Sequence, residues 1–179
     1  MSPRGTVSAM QPRPRATDVD PEFSEPGASP TAWADALAQL ERAMAYSLCT
    51  VRPDGRPHVT TLAAIVLDGT AYFATGPQER KARNLARNPH VAMMVGSSAF
   101  EGLDIVLEGD AVAVSDEATL RRLADAYAVK YPGVFGFRVK DGIFTDEGGE
   151  KAILVYQVRV SKGFGFRKGT GSSQTRWRF

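Results

Sequence analysis

Cysteine is nearly absent from this chain. Of 179 residues only Cys49 is a thiol, so no disulfide can form within the chain and no multi-cysteine metal site can assemble. Histidine is almost as scarce, and His58 and His90 lack the spacing of a metal-ligand pair; no metal is expected. No run approaches the roughly 18 apolar residues of a membrane-spanning helix. The first residues are rich in Pro and Arg but have no apolar stretch of the kind a secretory leader needs. An excess of one charge is missing too. Lys and Arg number 22 against 20 Asp and Glu, a net charge of +2, which argues against a broad nucleic-acid footprint. What remains is a cytoplasmic protein, most simply one domain with a core of its own. Cys49 reads as a small buried side chain in a strand rather than a catalytic thiol.

Residues 1–28 carry prolines at 3, 12, 14, 21 and 26 among Ser, Gly, Arg and acidic residues. Such a segment has little to bury, so a flexible tail is expected, with the domain proper over residues 29–179. Ser29-Pro30 reads as an N-cap with proline at the first helical position. Trp33, Leu37, Leu40 and Met44 then recur at helical spacing.

Strand-like runs follow at 47–52, 56–67, 70–75, 90–95, 103–114 and 152–160. Pro53-Asp54-Gly55 and Asp68-Gly69 supply the hairpin turns between the first three. A helix is expected from Gln78 to Asn88, stopped by Pro89, and another over Asp116–Lys130. Gly109 inside the fifth strand suits a bulge or bend. Residues 131–151 are Gly-rich and give no clear element. Six strands with tight turns and only short helices between them predict a mainly β fold, a closed antiparallel barrel rather than a parallel sheet.

The chemistry concentrates between Arg56 and Asn88. The strand ending at Thr75 runs through Gly76-Pro77 into Arg80, Lys81 and Arg83. Cations at a helix start favour an anion such as phosphate. The same spacing equally describes a solvated helix start with scattered surface charge.

The order and spacing of several motifs tip that balance. Asp54-Gly55-Arg56-Pro57, Tyr72-Phe73-Ala74-Thr75-Gly76, Arg80-Lys81-Ala82, Asn88-Pro89 and the closing Thr175-Arg176-Trp177-Arg178-Phe179 together resemble the FMN-binding split-barrel family of pyridoxamine 5′-phosphate oxidase and its flavin- and deazaflavin-dependent relatives. The resemblance runs from about Trp33 to Phe179. It implies a six-stranded antiparallel split β-barrel and a homodimer with a cofactor in each of two clefts along the interface. By the same resemblance Arg80 and Lys81 match the phosphate-binding pair, and Ala74 and Thr75 the strand end beside it. His58, Val59, Thr60 and Thr61 match the strand along the flavin ring. Arg83 and Asn84 match a run that follows the strand in deazaflavin-binding relatives, and Arg178 matches a late arginine reaching cofactor or substrate. Trp177 is expected either as a lid over the ring or as an interface anchor.

Taken only as residues, Thr60 and Thr61 are equally well explained by β-propensity, and His58 by a half-exposed strand position. Two positions depart from the family pattern. Ile65 stands where a lysine would hold pyridoxine phosphate, and Asp104 where a glutamine would bond the flavin.

The function implied is an oxidoreductase moving hydride between the cofactor and a small organic substrate other than pyridoxine phosphate. A non-catalytic flavin or haem carrier or sensor is the alternative on the same fold. FMN is the first expectation for the cofactor. F420 is the alternative, because Arg83 and Arg87 extend the basic run. No nucleic-acid or membrane partner is expected.

Overall fold

The computed structural model describes residues 12–97 and 99–179. Its strands are β1 (Ala16–Val19), β2 (Tyr46–Val51), β3 (Pro57–Leu62), β4 (Ala64–Leu67), β5 (Thr70–Thr75), β6 (His90–Val95), β7 (Gly102–Ala113), β8 (Arg138–Lys140), β9 (Ile143–Thr145), β10 (Ala152–Lys168) and β11 (Ser173–Arg178). Three helices accompany them: α1 (Trp33–Arg42), α2 (Arg80–Leu85) and α3 (Glu117–Lys130).

The sheet is antiparallel throughout, in the order β1-β11-β10-β7-β6-β2-β3. β4 and β5 return to β10, and β8 and β9 join it through β9. The ring therefore closes everywhere except between β3 and β4. At that gap the Ala63 carbonyl accepts from the Tyr127 hydroxyl at 3.3 Å and the Ala64 carbonyl from that of Tyr131 at 3.0 Å. Tyrosines of α3 and the turn after it take the place of ladder bonds, and the barrel is split there.

The six expected strands lie within the eleven of this sheet. The single run 56–67 is divided at Ala63. The Gly-rich stretch 131–151 contributes the β8–β9 hairpin. β10 extends to Lys168, well past Val160, and the chain end forms β11. Asp68 and Gly69 both adopt positive φ, as a two-residue hairpin turn needs. Gly109 is required by contact: a Cβ there would lie 2.1 Å from the Arg159 carbonyl oxygen. The bulge itself sits across the ladder, between Val160 and Lys162 of β10.

The main core packs α1 residues Ala36 and Leu40 against Leu48, Phe73, Met93, Ile105 and Trp177. α1 begins at Trp33 with Ala32 as its N-cap, later than Ser29-Pro30 predicts. Thr31 is held elsewhere: its N–H donates to Thr175 Oγ1 and its carbonyl accepts from Trp177 Nε1. Met44 falls beyond the helix and is exposed. A second cluster joins Leu120, Leu123 and Tyr127 of α3 to Ile65, Phe144 and Val155.

The expected flexible tail needs correction over residues 16–28; residues 1–11 lie outside the described residues. β1 pairs with β11, placing Asp18 opposite Arg176. The Asp18 carboxylate pairs with the guanidinium groups of both Arg178 and Arg176. Glu25 accepts from Gly171 and Ser172 N–H at 3.2 Å. Composition misses this docking because it rests on ladder bonds and ion pairs, not apolar burial, and it covers what would be an open strand edge.

A hydrogen bond from Arg178 and the charges of both arginines hold the Asp18 carboxyl below the usual 3.8. A depressed acid stabilises above its unfolded pKa, and that contribution fades as pH falls through the lower native value. Asp18→Ala is therefore expected to speed amide exchange across residues 16–19 at neutral pH. Deleting residues 1–28 is expected to lower the melting temperature, by about 2–4 °C for each kcal/mol lost in a chain of this size. An unchanged melting curve would contradict the strap.

Candidate anion cradle and adjoining cavity

The end of β5, the turn 76–79 and α2 bring a set of polar groups together against the barrel wall. Lys81 is buried, as are Thr75 and Asn84. Glu79 reaches back over the turn: its Oε1 accepts from Gly76 N–H at 2.7 Å, and its Oε2 accepts from Lys81 Nζ. Burial alone would raise the Glu79 pKa, but bonds from Lys81, Gly76 and Thr75 outweigh it and hold the carboxyl below its usual value. The cradle thus supplies a buried ammonium and a backbone N–H to one carboxylate, donors of the kind an oxyanion requires, while the Thr75 hydroxyl beside them donates to the Gly76 carbonyl at 3.4 Å.

Asn84 Nδ2 donates to Thr50 Oγ1 at 2.9 Å, and that hydroxyl lies 3.5 Å from His58 Nδ1. Desolvation, then the charges of Arg52, Arg80 and Lys81, push the His58 pKa below its usual 6.5, which favours the uncharged ring. Among the described residues four buried side-chain polar atoms have no partner: Asn84 Oδ1 and Thr60 Oγ1 here, and Trp33 Nε1 and Ser173 Oγ elsewhere in the barrel. Unsatisfied buried groups are costly, and a polar ligand here would satisfy those of Asn84 and Thr60.

The sequence-identified residues divide. Thr75, Lys81, Asn84 and His58 converge, and Thr60 shares the His58 side of β3. Val59 and Thr61 are exposed on its opposite face, so one bound ring cannot meet both sets of side chains. Arg80 and Arg83 are exposed on α2, where Arg83 bonds Gln78 Oε1 at 3.2 Å. Ala74 lines the neighbouring cavity.

Trp177 needs correction: it is fully buried, edge-on to Trp33 and packed over Gly163 and Gly165, where a Cβ would meet the indole at 3.1 and 2.5 Å. It is neither lid nor interface anchor. Arg178 is taken up by Asp18 on the β1–β11 ribbon, away from the end of β5.

A cavity of ≈ 410 Å³ opens beside the cradle. Leu62, Ala63, Ala74, Thr75, Gly76 and Glu79 line it together with Tyr127, Phe135, Phe137 and the cationic Lys151. Phe135 and Phe137 stack at 5.2 Å, and Tyr127 meets Phe137 edge-on. Ile65 is buried in the α3 cluster, and Asp104 is bonded to Ser97 N–H and paired with Lys168. A smaller hollow of ≈ 110 Å³, lined by Leu37 and Leu40 of α1 and by Val158 and Val160 of β10, has none of the cradle's groups.

Sequence reasoning missed Thr50, Glu79 and the aromatic wall. Thr50 was within reach, since the Pro53-Asp54-Gly55 turn sets it opposite His58. Glu79 gave the opposite signal, an acid beside bases.

A split antiparallel barrel with an anion cradle where β5 meets α2 defines the class of protein. Residues 33–161 match the family model described as pyridoxamine 5′-phosphate oxidase, and the chain belongs to that family. A curated relative, the pyridoxine/pyridoxamine 5′-phosphate oxidase of Bacteroides thetaiotaomicron, is 34% identical over 96 residues, 53% of this chain and 42% of that protein. The chain thus matches about two fifths of that relative's length. Among solved structures, a conserved hypothetical protein of Mycobacterium tuberculosis is similar at TM-score 0.64 and 21% identity, over 80% of this chain and 89% of that one. A protein titled F420 reductase is similar at TM-score 0.51 and 25% identity, over 70% and 93%.

The burial of Trp177 yields a test. Trp177→Ala should cost about 3–5 kcal/mol of stability, as for other large core truncations, measured by denaturant unfolding. A conservative Trp177→Phe that still folds should bind cofactor as the parent does; selective loss of binding would return Trp177 to the site.

Proposed function

We propose that this chain is a flavin- or deazaflavin-binding oxidoreductase that passes hydride between its cofactor and a small organic substrate, with FMN the first cofactor and F420 the alternative. The observation that carries this reading is the pair of donors, Gly76 N–H and Lys81 Nζ, at the mouth of an aromatic-walled cavity. Lys81 and Arg80 would hold the cofactor phosphate, with Thr75 beside them. Thr60 and Asn84 carry unpartnered polar atoms suited to a ligand's polar edge. Neutral His58 can donate or accept a hydrogen bond without adding charge. The cofactor would supply the redox chemistry, and the protein orientation and exclusion of water.

The cavity would take the substrate. Its walls are largely apolar apart from Lys151, and Ile65 belongs to the core, so a phosphorylated pyridoxine has no cation at the Ile65 position. Exposed Arg83 and Arg87 are what favour F420, whose negative charge extends past its first phosphate. A second copy of the chain is proposed to cover the open side of β3 and the outward face of the sheet. Val59 is 61% exposed and Met94 40% exposed there.

Lys81→Ala and Arg80→Ala should each weaken FMN or F420 binding by about 1.5–3 kcal/mol, the scale of a hydrogen bond to a charged group. Calorimetry showing unchanged affinity in both would overturn the phosphate site. The purified protein should form no pyridoxal phosphate at a useful rate; robust formation would refute the reading of Ile65. Light scattering should give a dimer, and a monomeric mass would refute the proposed assembly.

A further inference from the structure

The donors that a cofactor phosphate would use are already satisfied, and by the chain itself. One Glu79 oxygen takes Gly76 N–H and the other takes Lys81 Nζ; the Thr75 hydroxyl beside them donates to the Gly76 carbonyl at 3.4 Å. The two partners of the ion pair are not equally fixed. The Lys81 side chain is only 10% exposed, whereas that of Glu79 is 51% exposed. Lys81 must keep an anion beside it, because a buried charge without a partner is strongly unfavourable. Glu79 can turn into water and regain its hydration.

We propose that Glu79 is a resident carboxylate that occupies the anion cradle and must be displaced by the ligand's phosphate, making it the residue that sets phosphate affinity and selectivity. This rests on the reading of the cradle as the cofactor's phosphate site. Displacement exchanges one anion for another around the same ammonium, so net affinity is the difference between two similar interactions. The displaced carboxylate stays tethered two residues from Lys81 and repels what replaces it. A phosphate monoester carries a charge of about −1.5 to −2 at neutral pH, whereas a phosphodiester carries one negative charge. Glu79 therefore works harder against the monoester of FMN than against the diester of F420.

The test titrates the whole apo-protein with FMN, F420 and riboflavin, which lacks the phosphate. Glu79→Gln should tighten FMN by about tenfold or more, the size of one charge-assisted contact. F420 should gain less, and riboflavin should not change. If Glu79→Gln leaves FMN binding unchanged or weakened while Lys81→Ala still weakens it, the resident-anion proposal is overturned and the cradle stands. If Lys81→Ala has no effect either, the cradle itself is overturned.

Glu79→Gln strips Lys81 of its counter-ion, so the variant could fail to fold. The wild-type chain then decides. FMN should move the Glu79 carboxyl carbon resonance to its solvent-exposed position, and a resonance that stays in place with FMN bound overturns the proposal.

Discussion

One strand has to serve several others, and the rest of the structure follows from how it does so. β10 keeps β7 along most of its length. Its other partner is β5 at residues 154–157 and then β11 at residues 162–167. A single straight strand would carry one continuous neighbour on each side. The bulge at Val160/Lys162, fitted against Gly109, bends β10 between the two partnerships. The first half can then close a barrel through β5, while the second opens into a ribbon with β11 and β1. Thr75 pairs with Leu154 near the start of β10, so the cradle is built where β5 leaves the sheet. The same closure leaves the gap between β3 and β4, and the aromatic cavity opens beside it.

The cradle has its own constraint, set by Lys81. α2 places this ammonium inside, beside buried Asn84 and Leu85, where the alternative to a partner is a large desolvation cost. Glu79 resolves this locally, two residues away, and fixes the Gly76 turn with its second oxygen. The site is thereby held ready without ligand, with its donors aimed at one point. The unpartnered Thr60 and Asn84 oxygens are the opposite case: polar groups that the barrel buries and leaves unsatisfied. Trp33 Nε1, packed against the main core, and Ser173 Oγ are left without a partner as well, so such conflicts are not confined to the cradle.

How much of this the sequence carries depends on which force decides each element. Hairpins set by turn chemistry were legible, because Asp54-Gly55 and Asp68-Gly69 encode their backbone directly. β5 and β6 begin and end where their patterns do. α3 was legible through its periodicity, with Asp116 capping Thr119 N–H at 2.8 Å. The long-range pairings were not. β1 has only four residues of ordinary polarity, and what docks it is the distant Arg176 and Arg178. β8 and β9 have three residues each, too few for a period. Lys81, Asn84, Thr75 and His58, named through the family resemblance, lie around the end of β5, α2 and the facing strands. Trp177 and Arg178 were misread because strand alternation turns one inward under α1 and the other toward Asp18, and neither turns toward the cradle.

The family relationship and the site chemistry answer different questions. Membership explains the barrel, the split and a cation pair after β5, and the same framework can carry several activities. What distinguishes this chain lies in side chains the framework does not dictate. Ile65 joins the α3 core, and Phe135 and Phe137 stack across the cavity where a highly charged substrate would meet no counter-charge from them. Glu79 places a negative charge where a bound phosphate would have to sit. Each change alone reads as ordinary packing or an ordinary ion pair. Together they alter the same quantity: the preference of the cleft for phosphate over flat, apolar surface. Under the proposed reading, the buried ammonium of Lys81 would anchor a cofactor by its phosphate, and the aromatic cavity, with Lys151 on its wall, would receive a substrate largely by shape.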